Sequence, residues 1–423
     1  MFASLIVAVI SIRCEGFNCA LLRIAYNYGV VEIAGVVPAI DKPRNRYERE
    51  KSMNMIQWIL GVSLSVVLLI GANVFAGEGP PPRAGDAEAA VKKWVDEVLQ
   101  PWMEKHPGKW EWSSWGRLGA TRDATENDLA ALLELDGLTT LGLHTFELTD
   151  AGLAQVGKLV KLESLSLSGA RRVTDVGLAE LANLSQLRNL SLSGMPNVTI
   201  VGMTELGKLS QLRSLSLGEM PKIADAEYAF LKQFPNLESF SVYGLGDGSG
   251  LGDDAIDHLL SLNSLKSVYL QGNKTTDAGL AKLASLTNLN RLGLGYTDRI
   301  TGDGFAALET LPALKELSLT AGFVTDRMLA NVARLPHLQF VDLTQLFNAT
   351  GEGIVLLADI PALEKMWVQL TPTVVDADLP AFARFTNLRE LRFQLCENVS
   401  ADAVAELRTA MPECQIHHFN RGR

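Results

Sequence analysis

LESLSLSGARRVTDVGLAELANLSQ at residues 162–186 runs without a break into LRNLSLSGMPNVTIVGMTELGKLSQ at 187–211. The two stretches align leucine for leucine. A fixed period has to be sought before any single motif, because it decides how every element is used. The same register continues with LRSLSLGEMPKIADAEYAFLKQFPN at 212–236, LKSVYLQGNKTTDAGLAKLASLTN at 265–288 and LNRLGLGYTDRITGDGFAALETLPA at 289–313. It persists through LKELSLTAGFVTDRMLANVARLPH at 314–337 to LRELRFQLCENVSADAVAELRTAMPE at 388–413. With the copy at 138–161, a longer one at 237–264 and those beginning at Leu338 and Leu363, there are eleven, each of 24 to 28 residues. Thr121–Gly137 reads as the helical half of one more.

One unit explains its own pattern. In LxxLxL the second and third leucines, Leu165 and Leu167 for example, alternate with polar residues, so one face of a strand is buried. A Thr-Asp pair such as Thr174-Asp175 then puts a hydroxyl at a helix N-cap and an acid in its first turn. The spacing of Leu178, Leu181 and Leu184 gives that helix a single apolar stripe. A lone unit has nothing to cover either apolar surface. Stacked in parallel, the units bury both in one continuous core, which predicts an α/β solenoid with strands on a concave face and short helices on a convex one.

The LxxLxL strand followed by VTDxGL resembles the leucine-rich-repeat family, and the repeats of about 25 residues are most similar to its cysteine-containing subtype. The resemblance covers roughly residues 121–413 and implies a horseshoe fold and binding in general, with no named partner. Members of that subtype often sit behind an F-box as substrate receptors of ubiquitin ligases, and no F-box-like segment precedes these repeats. The subtype places Asn or Cys near the ninth position. Here only Asn273 and Cys396 do so, while Met195, Met220 and Leu346 occupy it elsewhere. The polar ladder that serves loop backbones in the family is therefore expected to be mostly absent. Pro412–His418 reads as a short closing strand.

Upstream of the repeats, MNMIQWILGVSLSVVLLIGANVFAGEGPPP begins at Met53. Ile56–Ala72 is apolar and uncharged, and Val74-Phe75-Ala76 has the small-x-small form of a signal-peptidase site. Residues 53–76 are thus expected to be a signal peptide cleaved after Ala76, with an uncleaved membrane anchor over 56–76 as the competing reading. The protein would then be secreted or held in the cell envelope. Residues 1–52 fit neither reading, and translation is expected to begin at Met53 or Met55. Residues 77–120 form a proline-rich linker and a tryptophan-rich N-terminal cap, with helical spacing over Asp86–Lys105. Trp94, Trp102, Trp110, Trp112 and Trp115 serve there either as cover for the open end of the core or as an aromatic ligand platform. The repeat domain spans 121–419.

Charge narrows the partners. Residues 77–423 carry 31 basic and 43 acidic side chains, a balance of −12, which repels phosphate backbones and argues against nucleic acid. Membrane contact is expected only through an uncleaved N-terminal helix. Two of the four cysteines lie in the leader, so a disulfide framework is excluded, and Cys396 and Cys414 form at most one bridge.

No constellation for catalysis emerges. Gly302-Asp303-Gly304-Phe305-Ala306-Ala307 has the GxGxxA form of a dinucleotide loop, yet it aligns with Asp175-Val176-Gly177-Leu178, where the second glycine is missing. The insertion Gly244–Asp254 mixes carboxylates with glycines, without the ligand spacing of an EF-hand. His144, His417 and His418 lack metal-ligand neighbours in sequence. The chain is therefore expected to be no enzyme and to carry neither cofactor nor metal.

Strand positions three, five and seven point into the concave face. In the first full copies these are Ser164, Ser166, Ser168, then Asn189, Ser191, Ser193, then Ser214, Ser216, Gly218. Later copies present Tyr243, Tyr269, Arg291, Glu316, Phe340, Asp342, Lys365, Trp367 and Arg392. Aromatic residues and arginine concentrate binding energy, because they bury large areas. With strands about 4.8 Å apart, copies five to eleven span roughly 30 Å, enough for a peptide or one face of a small domain. The expectation is a protein or peptide ligand on this C-terminal half, anchored by Tyr269, Trp367 and Arg392. The alternative is a structural or polysaccharide-binding envelope component, with the large residues serving only to fill a tight inner curve.

Overall fold

The computed structural model describes residues 8–10, 22–27, 30–34, 91, 93–112, 117–121, 124–144, 147–244, 251–272, 274–296, 298–321 and 324–419. Residues 53–76, where a signal peptide is expected, Trp115, Asn273 and the glycine-rich stretch 245–250 lie outside these. The chain divides into two compact units, Met1–Leu209 and Ser210–Arg423.

In the first unit, β1 (Ala8–Ile10), β2 (Leu22–Asn27) and β3 (Val30–Ala34) pair antiparallel. Of the helix expected over Asp86–Lys105, residues 86–90 lie outside the described residues, and the C-terminal part is a π-helical turn, Val95–Leu99, leading into α1 (Gln100–Lys105). An antiparallel pair, β4 (Trp110–Trp112) and β5 (Leu118–Ala120), follows, and β5 runs parallel to β6 (Thr140–His144). Next come β7 (Ser164–Ser168) and β8 (Asn189–Ser193), parallel and in register, so that Leu143, Leu167 and Leu192 line up across the core side. The tryptophans are packed at this end: Trp102 and Trp110 are buried with ring centroids 5.8 Å apart, and Trp94 donates from Nε1 to the Asp136 carbonyl at 2.7 Å.

The second unit continues the motif with β9 (Ser214–Gly218), β10 (Ser239–Tyr243), β11 (Ser267–Gln271), β12 (Arg291–Gly295) and β13 (Glu316–Thr320). It ends with β14 (Phe340–Thr344), β15 (Lys365–Gln369), β16 (Glu390–Gln394) and the closing strand β17 (Gln415–Phe419). All nine are parallel with no register slip. Between strands the chain returns through short helices: α2 (Asp150–Val156), α3 (Asp175–Glu180) and α4 (Ile200–Glu205) in the first unit, and α5 (Asp253–Leu259), α6 (Asp277–Lys282), α7 (Phe305–Leu308), α8 (Asp326–Val332), α9 (Gly351–Val355) and α10 (Ala401–Ala410) in the second. Two returns of the second unit, Asp225–Gln233 and Asp376–Arg384, are 3-10 helices instead.

The Thr-Asp pair does more than start a helix. Thr174, Thr199, Thr276, Thr325 and Thr350 do cap their helices with the side-chain oxygen. The acid, however, reaches into the next repeat. Asp150 accepts from Thr174 N and Thr174 Oγ1, both at 2.7 Å, and Asp175 does the same for Thr199. In the second unit Asp253 holds Thr276 at 2.8 and 2.6 Å, and Asp326 holds Thr350 at 2.7 and 2.9 Å. Each step joins a charged acceptor to a backbone donor, the stronger kind of hydrogen bond. Asparagines add a second series in the loops, with Asn197, Asn288 and Asn398 donating to the carbonyls of Arg171, Asn263 and Pro372. The polar ladder expected to be mostly absent is thus supplied by other residues at other positions.

After β7, β8, β9, β11, β12, β13, β14, β15 and β16 the next residue takes a left-handed conformation. Glycine stands there in the first unit, as Gly169 (φ 73) and Gly194 (φ 66). The second unit has Gly272 (φ 59) after β11 but otherwise uses Glu219, Tyr296, Ala321, Gln345, Leu370 and Leu395 at φ between 48 and 76. A side chain in that region costs about 1–2 kcal/mol.

Candidate functional site

Every site residue read from the sequence lies in Ser210–Arg423 on the strand side facing away from the helices, because the intervening positions, such as Val341, Leu343, Met366 and Val368, are buried in the core. In-register pairing sets these residues in rows. One row runs Arg291, Glu316, Phe340, Lys365, Glu390, and the next runs Tyr269, Gly293, Ser318, Asp342, Trp367, Arg392, His417.

The C-terminal end of the face is one connected cluster. Phe340 meets Trp367 edge to face, with centroids 4.9 Å apart and planes at 73°. The Arg392 guanidinium lies over the Trp367 ring at 4.3 Å and 5.9 Å from that of Phe419. Glu390 accepts from Trp367 Nε1 and from Arg392 Nη2, both at 3.2 Å, and lies 3.9 Å from Lys365 Nζ. Further along the first row, Arg291 and Glu316 form a separate pair at 2.8 Å.

One expected anchor, Tyr269, and one other expected site residue, Asp342, are absorbed into the floor. Tyr269 is 9% exposed and lies across Gly293, so burial pushes its phenol up to about 12. Asp342 is 2% exposed and accepts at Oδ1 from Thr344 Oγ1 (2.9 Å) and Gln369 Nε2 (3.1 Å). Burial pushes its carboxyl up to about 6, against the pull of those hydrogen bonds and of the Arg392 charge. Tyr243 lies half-buried over Gly218, while Lys365 remains exposed.

Some surface residues escaped sequence reading. Tyr296 and Phe347 are 39% and 45% exposed beyond the strand ends, and Tyr296 donates its hydroxyl to Gln345 Oε1 at 3.1 Å. Tyr296 follows directly on its strand, a position that the alternation rule assigns to neither face. Phe419 is 52% exposed at the end of β17, its ring stacked on His417.

Other motifs resolve into structure. The GxGxxA loop already cradles a carboxylate: Thr301 N, Gly302 N and Gly304 N all donate to Asp277 at 3.1 Å. Burial alone would raise that acid, but these bonds and the Thr301 hydroxyl hold it below the usual range. His144 is driven down to about 4 by burial and by the neighbouring Arg117 charge. Cys396 and Cys414 are buried thiols with no disulfide between them, both raised to about 11 chiefly by burial. Among the described residues no group of three or more His, Cys, Asp or Glu is placed to hold a metal.

A family model described as a leucine-rich repeat region matches residues 129–422. Among solved structures, an internalin of Listeria monocytogenes is 19% identical, with 69% of this chain and 83% of that one covered at a TM-score of 0.41. A complex of Rad7 and Elc1 in yeast is 17% identical, with 88% and 94% covered and a TM-score of 0.45. An internalin C2 of Listeria monocytogenes is 17% identical, with 63% and 91% covered and a TM-score of 0.30. No curated protein matches.

Proposed function

Since the chain belongs to the leucine-rich-repeat family, whose members are generally protein-binding modules, we propose that it is a non-catalytic module that holds a protein or peptide on the strand face of Ser210–Arg423. One observation carries this reading: equivalent strand positions change character between the units. At positions three, five and seven the first unit carries Thr140, Gly142 and His144, then only Ser and Asn on β7 and β8, and the second, after Ser214, Ser216 and Gly218 on β9, comes to include Tyr243, Phe340, Trp367, Lys365 and Arg392. Stacking alone does not require the change, since the parallel register is maintained equally with serine or with tryptophan. Polysaccharide binding is the weaker reading, because one face of Trp367 lies under Arg392 and its N–H is already given to Glu390.

We also propose that the protein is exported, on the strength of residues 53–76. N-terminal sequencing of the mature protein should give Gly77; an intact segment 53–76 would favour the anchored form.

The test of the binding reading is selection of displayed random dodecapeptides on the full chain, followed by affinity measurement on a Tyr243→Ser/Phe340→Ser double variant. Returning two half-buried face positions to the serine of the first unit should weaken selected peptides by about 30-fold or more, the scale of two moderate hot spots. Its urea midpoint serves as the folding control. Unchanged affinity in the folded variant would remove the face from consideration.

A further inference from the structure

At the C-terminal end of this face two cationic groups, Lys365 and Arg392, lie over two carboxylates, the part-exposed Glu390 and the buried Asp342. Glu390 serves Arg392, Lys365 and the Trp367 indole together, whereas the Arg291–Glu316 pair nearby is one to one. The Trp367 ring, 4.3 Å away, and the hydrogen bond to Glu390 restrain the Arg392 guanidinium, and its Nε is buried with no hydrogen-bond partner among the described residues. Lys365 and Arg392 keep 55% and 29% of their side-chain surface exposed. The other acid in these rows, Asp342, is committed at Oδ1 to Thr344 and Gln369 in the floor. The more exposed charges here are thus the cations, against 22% for the Glu390 side chain and 2% for Asp342, in a unit where 18 Lys and Arg face 25 Asp and Glu.

Resting on the reading of the face as a protein-binding surface, we propose that this end receives an acidic side chain of the partner, with Arg392 as the oriented donor and Lys365 as the second charge. The guanidinium keeps N–H donors at Nη1 and Nη2 beyond the one given to Glu390, and, restrained over Trp367, it has little side-chain freedom left to lose on binding a carboxylate. Phe419, exposed beside Arg392, offers apolar contact to the methylenes of a glutamate.

The probe is acetyl-(Glu)3-amide titrated into the full chain by calorimetry at low ionic strength, with acetyl-(Gln)3-amide and an oligogalacturonate as comparisons. The glutamate peptide should bind and the glutamine peptide should not, and affinity should fall steeply between 50 and 300 mM salt. Arg392→Gln should lower affinity about tenfold or more and Lys365→Gln about threefold. Arg392→Lys, which keeps the charge and loses the planar fork, should fall between wild type and Arg392→Gln. Equal binding of the two peptides, no binding of either, preference for the oligogalacturonate, or full affinity in folded Arg392→Gln and Lys365→Gln would each overturn the assignment. If the displayed peptides need Tyr243 and Phe340 but ignore Arg392, this assignment fails while the binding face stands; if they ignore all three, the face itself fails.

Discussion

Replacing Gly177 by alanine sets two effects of known sign against each other. Gly177 is the third residue of α3, where alanine should add up to about 1 kcal/mol of helix propensity. A methyl group at that position would stand only 2.7 Å from Asp150 Cα, a backbone atom of the preceding repeat that cannot rotate away. Relieving the clash means spreading two repeats, at about 1–3 kcal/mol for overpacking. The same movement stretches both 2.7 Å hydrogen bonds from Thr174 to Asp150, bonds to a charged acceptor worth about 1.5–3 kcal/mol. Repulsion wins, and the net expectation is a loss of about 2–4 kcal/mol. In urea denaturation of the full chain followed by far-ultraviolet dichroism, the midpoint of the affected transition should fall by about 1 M at an m-value of a few kcal/mol per molar. Asp150→Ala alone should lose only the hydrogen-bonded pair. Adding it to Gly177→Ala should bring no full rescue, because the contact with the Asp150 backbone remains. A midpoint equal to or above wild type in Gly177→Ala would refute the close seating of each helix on the acid before it.

Further outcomes follow from other parts of the molecule. Asp342 titrates near 6 when folded and near 4 when unfolded, so the native state binds the extra proton, and stability should fall by about 2–3 kcal/mol as pH rises between about 4 and 6. Asp342→Asn should abolish that segment of the stability–pH profile; persistence of the full slope would place its origin elsewhere. Asp326→Ala should cost about 1–3 kcal/mol and speed hydrogen exchange at the Thr350 amide, while Asp326→Asn, still able to accept from that amide, should cost less. Equal costs for the two would deny the ladder its charge-assisted character. Arg408 donates from Nε and Nη2 to the Ile416 carbonyl on β17, a strand paired on one side only among the described residues. Arg408→Ala should therefore promote self-association through that edge, seen by sedimentation as larger species; unchanged sedimentation would show the edge protected otherwise.

The fold was legible because the signals for it lie within one repeat. Leu165 and Leu167 mark a strand, Thr174 marks a cap, and Leu178 marks the helix stripe, all set by local periodicity that eleven copies reinforce. What joins one repeat to the next was less visible. Asp150 and Thr174 are 24 residues apart, and only the stacking register brings them to 2.7 Å. The acid therefore read as a helix-dipole residue when its main partner is the following repeat. Gly177 likewise read as part of a family pattern, and its need became plain only beside Asp150.

The site was half legible for a related reason. Alternation correctly assigned Tyr269, Asp342, Trp367 and Arg392 to one strand face, but depth depends on neighbouring strands. Asp342 sinks among Trp367, Gln369 and Thr344, while Lys365 at the adjoining row stays exposed. Tyr296 was missed because its left-handed backbone falls outside the alternation.

Site-specific photocrosslinking tests the central claim most directly. Benzoylphenylalanine would replace Tyr243 on the strand face of the second unit, Asn189 on that of the first, or Val201, which is 62% exposed on the helix side. Irradiation in cells that produce the full chain, followed by mass spectrometry, should give a discrete protein adduct from position 243 and none from 189 or 201. Adducts from 189 or 201 with none from 243 would contradict the assignment of binding to the strand face of Ser210–Arg423.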